Sequence, residues 1–200
     1  QMCADGWAGI GWPTEWGGKG ASAIEQFVFF DESMRAGAPV PMLTINTVGP
    51  TIMNFGSDEQ KQFFLPKILA GDIHFCIGYT EPDAGTDLAS LKSRAERDGD
   101  EWVINGQKVW TSGALHSTRG MLVARNDFDQ PKHKGLTYFI IDLEQPGVEI
   151  RPIKQMNGMA HFNEVFFTDA RVSDADRVSG VNNGWAITTA TLGFERSGLS

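Results

Sequence analysis

The sequence predicts an α+β fold with an N-terminal helical segment, an antiparallel middle β-domain, and the start of a truncated C-terminal helical bundle. Three observations carry this prediction. Apolar residues recur at helical spacing up to Ala70, short runs rich in Val, Ile, Phe and Thr follow Asp72, and the helical spacing returns after Asn182. The predicted domains are 1–73 (partial helical domain), 74–175 (middle β-domain, a small barrel or sandwich) and 176–200 (first helix of the C-terminal domain).

Composition narrows the class of protein. With 200 residues, 41% of them hydrophobic, the chain can bury a sizeable core and is not predicted to be disordered. The formal charge of -8, with Lys and Arg scattered, argues against nucleic acid or an anionic membrane surface as a partner. No run approaches the ~20 apolar residues of a membrane span, and the N-terminus lacks the features of a signal peptide.

The cysteines and histidines give no sign of a metal site. Cys3 and Cys76 are far apart and form no CxxC, so neither a zinc site nor a disulfide framework is predicted, and a reducing, cytoplasmic compartment is expected. Cys76 alternates with apolar neighbours and is interpreted as a buried strand residue. The four His residues show no HxxxH or HxH spacing, so we expect no metal.

The N-terminal part predicts an ordered loop and a first helix. The segment Gly6–Gly20 is rich in Gly but carries three Trp, whose large side chains favour an ordered loop over a flexible linker. Ala21–Ala36 then predicts a helix with one strongly apolar side. That side includes Ile24, Phe27, Val28 and Met34.

Two more helices are predicted before the strands begin. Pro41–Phe55 reads as a more apolar helix that stops at Gly56. The third helix follows an N-cap box in which Ser57 stands three residues before Gln60, and it stops at Gly71. Pro66 lies inside it, so a kink or an early end is expected there.

Two turn signals predict hairpins in the β-domain. Asp98, Gly99 and Asp100 form the first signal, and the dipeptide Asn105-Gly106 forms the second. Both are flanked by alternating side chains, as expected for antiparallel strands.

The stretch TEPDAGTD, Thr80 to Asp87, follows the apolar run FCIGY and is the first candidate site. One interpretation is a capped turn, in which Thr80 and Thr86 bond to nearby amides, Asp87 caps the next turn and Gly85 supplies a positive φ. The other is an anion site, because exposed amides and hydroxyls in a Gly-containing turn can hold a pyrophosphate.

Two further stretches carry candidate residues. In NGQKVWTSG, Trp110 followed by the hydroxyls of Thr111 and Ser112 would suit a planar, polar heterocycle, although a core Trp at a strand end would give the same pattern. In TLGFERSG, the pair Glu195-Arg196 lies in the last helix, where adjacent Glu and Arg are common on exposed faces.

Together these stretches resemble the acyl-CoA dehydrogenase family. The family's first signature runs here as GYTEPDAGTD from Gly78, with Tyr79 where an aliphatic residue is usual. The resemblance extends from GWAGIGWPTEWGG through NGQKVWTSG and FNEVFFTDARV to GFERSG, which is nearly the whole chain. The order of helices, β-domain and helix agrees with the family's arrangement.

The resemblance implies a flavin site, which belongs to the predicted middle β-domain, 74–175. Ser112 would hydrogen-bond the flavin N5, Trp110 would pack beside the isoalloxazine, and Thr86 would lie where the pantetheine and the pyrophosphate approach each other. The FAD-binding residues implied are Ile77, Gly78, Tyr79, Thr80, Gly85, Thr86, Trp110, Thr111 and Ser112. The substrate-binding residues implied are Thr86, Glu195 and Arg196.

The implied reaction is α,β-dehydrogenation of an acyl-CoA to the trans-2-enoyl-CoA, as in fatty-acid β-oxidation. The family's base has two known locations, and Glu195 matches the one in the first helix after the β-domain. The resemblance also implies an electron-transfer flavoprotein as redox partner and a homo- or hetero-oligomer. Two alternatives remain open: a catalytically silent subunit of a hetero-oligomeric dehydrogenase, and an acyl-CoA oxidase.

Overall fold

The computed structural model describes residues 2–38 and 42–198, and the fold is α+β as the sequence predicts. Within these residues, three longer helical stretches precede the first strand, and one long helix follows the last strand. The helices are α1 (Ala23–Arg35), a π-helical segment (Leu43–Val48) that runs into α2 (Gly49–Phe55), α3 (Asp58–Ala70) and α4 (Gly184–Gly198). None of the described helices is both long enough and apolar enough to cross a membrane.

Eight strands form one sheet. They are β1 (Phe75–Gly78), β2 (Arg94–Asp98), β3 (Glu101–Ser112), β4 (Arg119–Arg125), β5 (Leu136–Asp142), β6 (Val148–Ile153), β7 (Phe162–Ser173) and β8 (Arg177–Val178). The strand order is β6-β7-β3-β2-β4-β5-β8, with β1 beside β4. Most pairs are antiparallel, as predicted, but β1 runs parallel to β4, and Arg94 and Arg125 form a parallel bridge between β2 and β4.

The predicted helix signals are confirmed where the structure describes them. Ser57 caps α3 through a reciprocal box with Gln60, as predicted. Ser22 caps α1 in the same way with Glu25, a box that is not among the predicted signals. Gly71 ends α3 in the left-handed conformation, at φ 81°. The helix continues through Pro66 to Ala70, so the early end expected there does not occur. The predicted start of the second helix at position 41 lies outside the described residues.

A π-helical turn replaces the regular start of the second helix. Trp12 supplies a hydrogen-bond donor that the backbone of this turn lacks. In this register the residue at position 50 would donate to the carbonyl of Ile45, but position 50 is proline and has no N–H. The indole Nε1 of Trp12 donates to the Ile45 carbonyl instead, at 3.0 Å. Gly49 lies against the same indole, since a Cβ there would come within 2.1 Å of it. The loop Gly6–Gly20 is therefore ordered by its middle Trp.

The Asn105-Gly106 dipeptide does not form a hairpin turn, so that prediction is wrong. β3 continues through it, and of the two predicted turns the one that reverses the chain is Asp98–Glu101, between β2 and β3. Glycine is required at 106 because its φ is 150° and a Cβ would lie 2.7 Å from the Cα of Ser93. Asn105 instead bonds to Asp169, which bulges out of β7 at φ 53°.

Two hydrophobic cores lie on opposite faces of the central strands. Along β4, Met121 and Val123 face the helical core, whereas Leu122 and Ala124 face a core enclosed by the sheet itself. Cys76 of β1 is buried in the second core, as its pattern predicts. The first core joins α2, α3 and α4 to β1, β4 and β5, which brings the last helix close to the end of β1.

The apolar side of α1 faces outward within the described chain. Ile24 is 76% exposed and Met34 is 60% exposed, and Phe30 is the buried residue of the helix. The helix predicted there is confirmed, but its apolar side does not contribute to either core.

Candidate functional site

The first two candidate stretches lie side by side. The backbone N–H of Val109 in β3 donates to the carbonyl of Thr80 at 2.8 Å, which extends the contact between β1 and β3 beyond the end of β1. Lys108, next along β3, reaches back to the carbonyl of Tyr79 at 3.0 Å. The exit of β1 and the end of β3 therefore form one surface, although 30 residues separate Thr80 from Trp110.

Trp110 lies in a β-bulge at the centre of this surface. Lys108 pairs with Val165 and Thr111 pairs with Asn163, so Val109 and Trp110 together oppose a single residue of β7. Trp110 has φ 61°, a left-handed conformation that is rare for a bulky side chain. Its ring is 56% exposed and touches Phe162 edge-on, at 6.0 Å between centroids. The bulge thus turns a large aromatic ring towards solvent, and the alternative of a core Trp does not hold.

The two hydroxyls after Trp110 face opposite ways. Ser112 is exposed, whereas Thr111 is 1% exposed and its Oγ1 is buried without a hydrogen-bond partner among the described residues. Period-two alternation resumes after the bulge and produces this difference. Of these two residues, Ser112 is the one that presents its hydroxyl at the surface beside Trp110.

A buried ion pair supports the turn after β1, and sequence reasoning missed it. Lys108 Nζ lies 2.9 Å from the Glu81 carboxylate, which also accepts the backbone N–H groups of Lys92 (2.6 Å) and Ser93 (2.8 Å). Burial raises the pKa of Glu81, but the charge of Lys108 and these hydrogen bonds outweigh burial and hold that pKa below its ordinary value. Burial lowers the pKa of Lys108. The only sequence signal was a Lys among alternating residues of β3.

The turn itself is closed by reciprocal backbone bonds between Glu81 and Ala84, both at 3.1 Å. The details of the capped-turn interpretation are wrong. Within the described residues, the Thr80 and Thr86 hydroxyls do not bond to nearby amides. Gly85 does not have a positive φ, and the Asp87 carboxylate does not cap the next turn but binds Lys132 at 2.9 Å. A Cβ at Gly85 would meet only the Thr80 methyl, at 4.0 Å. Neither conformation nor packing within the chain therefore requires glycine at 85, and close approach of a ligand would.

Arg125 anchors the segment that follows the turn. Its buried guanidinium donates to the carbonyls of Ala89 (2.6 Å), Leu91 (3.0 Å) and Lys132 (3.0 Å). Burial lowers the pKa of Arg125, and no carboxylate bonds to it within the described residues. This residue ties the chain after Asp87 to the loop between β4 and β5, so the turn is rigid on both sides.

The third candidate pair lies on α4. Glu195 is half-buried and Arg196 is exposed. Thr191, one turn before Glu195, is buried and lies within hydrogen-bond reach of Thr51 (3.0 Å) and Tyr138 (3.5 Å). Tyr138 in turn bonds to Tyr79 at 2.6 Å. The face of α4 that carries Glu195 is thus linked through Tyr138 to Tyr79, the residue before Thr80.

The exposed groups at the end of β1 and β3 fit a flavin. Within the described residues, the side-chain hydroxyls of Thr80, Thr86 and Ser112 have no hydrogen-bond partner, so each can bond to a ligand. The Trp110 ring adds a flat apolar face, which suits a fused heterocycle. Across residues 2–38 and 42–198, no group of three His, Cys, Asp or Glu side chains is arranged to hold a metal ion.

Comparison with known proteins places the chain in a family. The description "Acyl-CoA dehydrogenase, middle domain" matches residues 76–170, and "Acyl-CoA dehydrogenase, N-terminal domain" matches residues 1–72. The chain belongs to the acyl-CoA dehydrogenase family. Its members are oxidoreductases, and its fold and order of elements are those described above.

Several acyl-CoA dehydrogenases resemble this chain closely. Acyl-CoA dehydrogenase FadE26 of Mycobacterium tuberculosis is 48% identical, over 100% of this chain and 50% of that protein. The structure titled "Tcur3481-Tcur3483 steroid ACAD" matches with 49% identity and a TM-score of 0.94, over 99% of this chain and 51% of that one. The ChsE4-ChsE5 complex from Mycobacterium tuberculosis matches with 48% identity and a TM-score of 0.90, over 97% and 50%. The chain spans about half the length of these relatives.

Proposed function

We propose that this chain forms the flavin-binding half of an FAD-dependent acyl-CoA dehydrogenase, which converts an acyl-CoA thioester to its trans-2-enoyl-CoA. The observation that carries the proposal is the bulge at Trp110. It holds an exposed ring in a rare backbone conformation, beside the free hydroxyls of Ser112 and Thr80. Such outliers cluster at functional sites.

The proposed FAD site takes its residues from two strands and a turn. The main chain of Ile77, Gly78 and Tyr79 and the Thr80 side chain would line one edge, and Gly85 with Thr86 would face the pyrophosphate. Trp110 would pack beside the isoalloxazine, Ser112 would bond to N5, and Thr111 would contribute main-chain groups. The bound flavin supplies the electron acceptor for the reaction.

In the proposed reaction Glu195 is the base. Its carboxylate would take the α-proton of the acyl-CoA while the β-hydrogen leaves as hydride, so that a carbon–carbon double bond forms between the two atoms. Arg196 and Thr86 would help to hold the substrate. The half-buried position of Glu195 on the inner face of α4 supports this role, because the carboxylate can meet a substrate and still be shielded from bulk water.

The titles of the relatives extend the proposal to substrate and partner. One close structure is called a steroid ACAD, and two are complexes of two different chains. We infer a steroid-derived acyl-CoA as the substrate class and a hetero-oligomer with a second dehydrogenase chain as the assembly. An electron-transfer flavoprotein would reoxidise the flavin, and the two free cysteines are consistent with the proposed cytoplasmic location.

An acyl oxidase is the second candidate function. The structure titled "Crystal Structure of the Prolyl Acyl Carrier Protein Oxidase AnaB" shares the fold, with 27% identity and a TM-score of 0.87. An oxidase would differ in allowing oxygen to reach the reduced flavin, and the comparison of oxygen with an electron-transfer flavoprotein as acceptor separates the two candidates.

Anaerobic titration tests the proposed function. The purified protein that carries this chain, together with its partner chain, is mixed with straight-chain, branched and steroid-derived acyl-CoAs while its visible spectrum is recorded. We expect a bound flavin whose absorbance near 450 nm is lost with one acyl class, and an enoyl-CoA product two mass units lighter. A colourless protein that cannot be reconstituted with FAD would contradict the proposal and favour a silent structural subunit.

A further inference from the structure

Four buried hydroxyls form a chain between β1 and α4. Tyr79 Oη lies 2.6 Å from Tyr138 Oη, and Tyr138 Oη lies 3.5 Å from Thr191 Oγ1. Thr51 Oγ1, on α2, lies 3.0 Å from the same Thr191 atom. We call Tyr79, Tyr138, Thr191 and Thr51 the hydroxyl chain. The proposed chemistry makes no use of it, and Tyr79 is the position at which the sequence departs from the family signature.

Hydroxyls are an unusual choice for this place. All four residues are buried among apolar side chains such as Val48, Leu136 and Ile187. Apolar residues of similar shape would avoid the cost of desolvating the hydroxyls, so their presence calls for a reason beyond stability.

The proton count gives the chain a direction. Thr191 donates its single proton to the Ile187 carbonyl at 2.8 Å, so it can only accept from its neighbours. Tyr138 then donates to Thr191, and Tyr79 donates to Tyr138. The Thr51 proton has the Thr47 carbonyl as an acceptor at 2.8 Å, so the ordered part of the hydroxyl chain runs from Tyr79 through Tyr138 to Thr191. Removing any one of these three hydroxyls leaves its neighbour without a donor or an acceptor.

The hydroxyl chain ends beside Glu195. Residues four apart lie on the same helix face, so the Glu195 side chain follows Thr191 on the inner face of α4. Burial is the main cause that raises the pKa of Tyr79 and Tyr138, and the negative charge of Glu195 raises both further. The carboxylate is therefore within electrostatic reach of both phenols. At the other end, Tyr79 stands between Gly78 and Thr80 in the proposed flavin-binding strand.

We propose that Tyr79 and Thr191 are positioning residues: through Tyr138, their hydroxyls fix the rotation of α4 against β1 and so hold the Glu195 carboxylate beside the surface of Thr80 and Trp110. This inference rests on the proposed function. It assigns a role to the one residue at which the first signature departs from the family pattern, and to a buried Thr that is not among the proposed flavin-binding and substrate-binding residues.

The test compares Tyr79→Phe and Thr191→Val with two controls. Thr188→Val removes another buried hydroxyl of α4, whose bond is to the Gly184 carbonyl of the same helix, and Thr191→Ser keeps the hydroxyl. In the FAD-loaded protein, we expect both test variants to slow flavin reduction by saturating acyl-CoA about ten- to a hundredfold, as small displacements of a reacting group do. Half-saturating acyl-CoA concentration and FAD absorbance should stay unchanged, and both controls should react like the parent.

Amide hydrogen exchange supplies a readout that does not depend on activity. In the protein without FAD, Tyr79→Phe and Thr191→Val should speed the exchange of α4 amides around residues 188–196, and Thr188→Val should not. Unchanged exchange in the test variants, or equal loss of rate in Thr188→Val, would overturn the inference. If the parent's flavin is not reduced by any acyl-CoA, the proposed function fails, and the exchange result alone decides whether the hydroxyl chain holds α4.

Discussion

At Trp110, an L-residue with a large side chain is held at φ 61°, in the region of backbone space that glycine occupies without cost. The strain this implies can be isolated by comparing Trp110→Gly with Trp110→Ala, because both remove the ring and only alanine keeps a Cβ. We expect the glycine variant to be more stable by about 1 kcal/mol in chemical denaturation without FAD. Equal stabilities would show that the left-handed conformation does not persist in solution.

The same residue should govern flavin retention. Both Trp110 variants should lose FAD during gel filtration, because the exposed ring supplies a large part of the contact with the heterocycle. Trp7→Ala is the matched control, since Trp7 is also partly exposed but lies in the N-terminal loop, stacked on Phe29. Full retention of FAD in Trp110→Ala would contradict the packing role.

The side chains of Thr111 and Ser112 point in opposite directions, and this difference gives a further prediction. Ser112→Ala should weaken FAD binding or slow its reduction, because it removes an exposed hydroxyl aimed at the proposed N5 position. Thr111→Val should leave FAD binding intact and should not lower stability, because the Thr111 hydroxyl is buried and unpaired. Fluorescence titration with FAD and thermal melts check both. A larger effect of Thr111→Val on FAD binding would reverse the assignment.

Among the structural elements, the turn after β1 depends on the buried pair of Glu81 and Lys108. Glu81→Gln would leave the Lys108 ammonium buried without a counter-charge, which costs about 3–5 kcal/mol in comparable pairs. Adding Lys108→Met to this variant should recover part of the loss, because it removes the unpaired charge. Urea denaturation of the two variants measures this. A smaller stability in the double variant than in Glu81→Gln would contradict the assignment of the cost to Lys108.

The pair also has a pH signature. The folded protein holds the pKa of Glu81 below its ordinary value of 4.5, so the stability it contributes is present above that value. It is lost as the pH falls from 4.5 towards the folded-state pKa. The free energy of unfolding of the parent minus that of the double variant should therefore fall on acidification below pH 4.5. A rise of this quantity below pH 4.5 would contradict the lowered pKa of Glu81.

Local sequence signals found the helices but not every strand connection. The capping box at Ser57 and the helix stop at Gly71 depend on contacts between residues a few positions apart, and the structure confirms both. An Asn-Gly dipeptide gives the same local signal whether it lies in a turn or, like Asn105-Gly106, in a continuous strand. What decides between them is the packing of Gly106 against Ser93, a contact between two strands that no local pattern contains. The parallel pairing of β1 with β4 is likewise a long-range result.

In the candidate site, too, some features follow from local sequence and others from contacts between distant residues. Trp110 and Ser112 could be chosen from the sequence because their motif is contiguous. The outward turn of the Trp110 ring comes from a bulge that depends on the register with β7, and the Glu81–Lys108 pair joins residues 27 apart. The hydroxyl chain joins residues from four separate parts of the sequence. No local sequence pattern predicts their contacts.

For the whole molecule, the central claim is that the β-domain and α4 build one site, with the flavin surface at Trp110 and the base at Glu195. The chain order separates them by 85 positions, and the helical core packs α4 against β5 and β4, whose neighbour is β1. The predicted boundaries 1–73, 74–175 and 176–200 stay predictions, but a site assembled in this way would need at least the last two units together.

One measurement tests this claim most directly: anaerobic stopped-flow mixing of Glu195→Gln with the acyl-CoA that reduces the parent. Glu144→Gln, at an exposed position on the loop after β5, is the control. We expect Glu195→Gln to keep its FAD and to lose flavin reduction by more than about a thousandfold, while the control reacts like the parent. Reduction of the flavin at the parent's rate in Glu195→Gln would contradict the claim and place the base elsewhere.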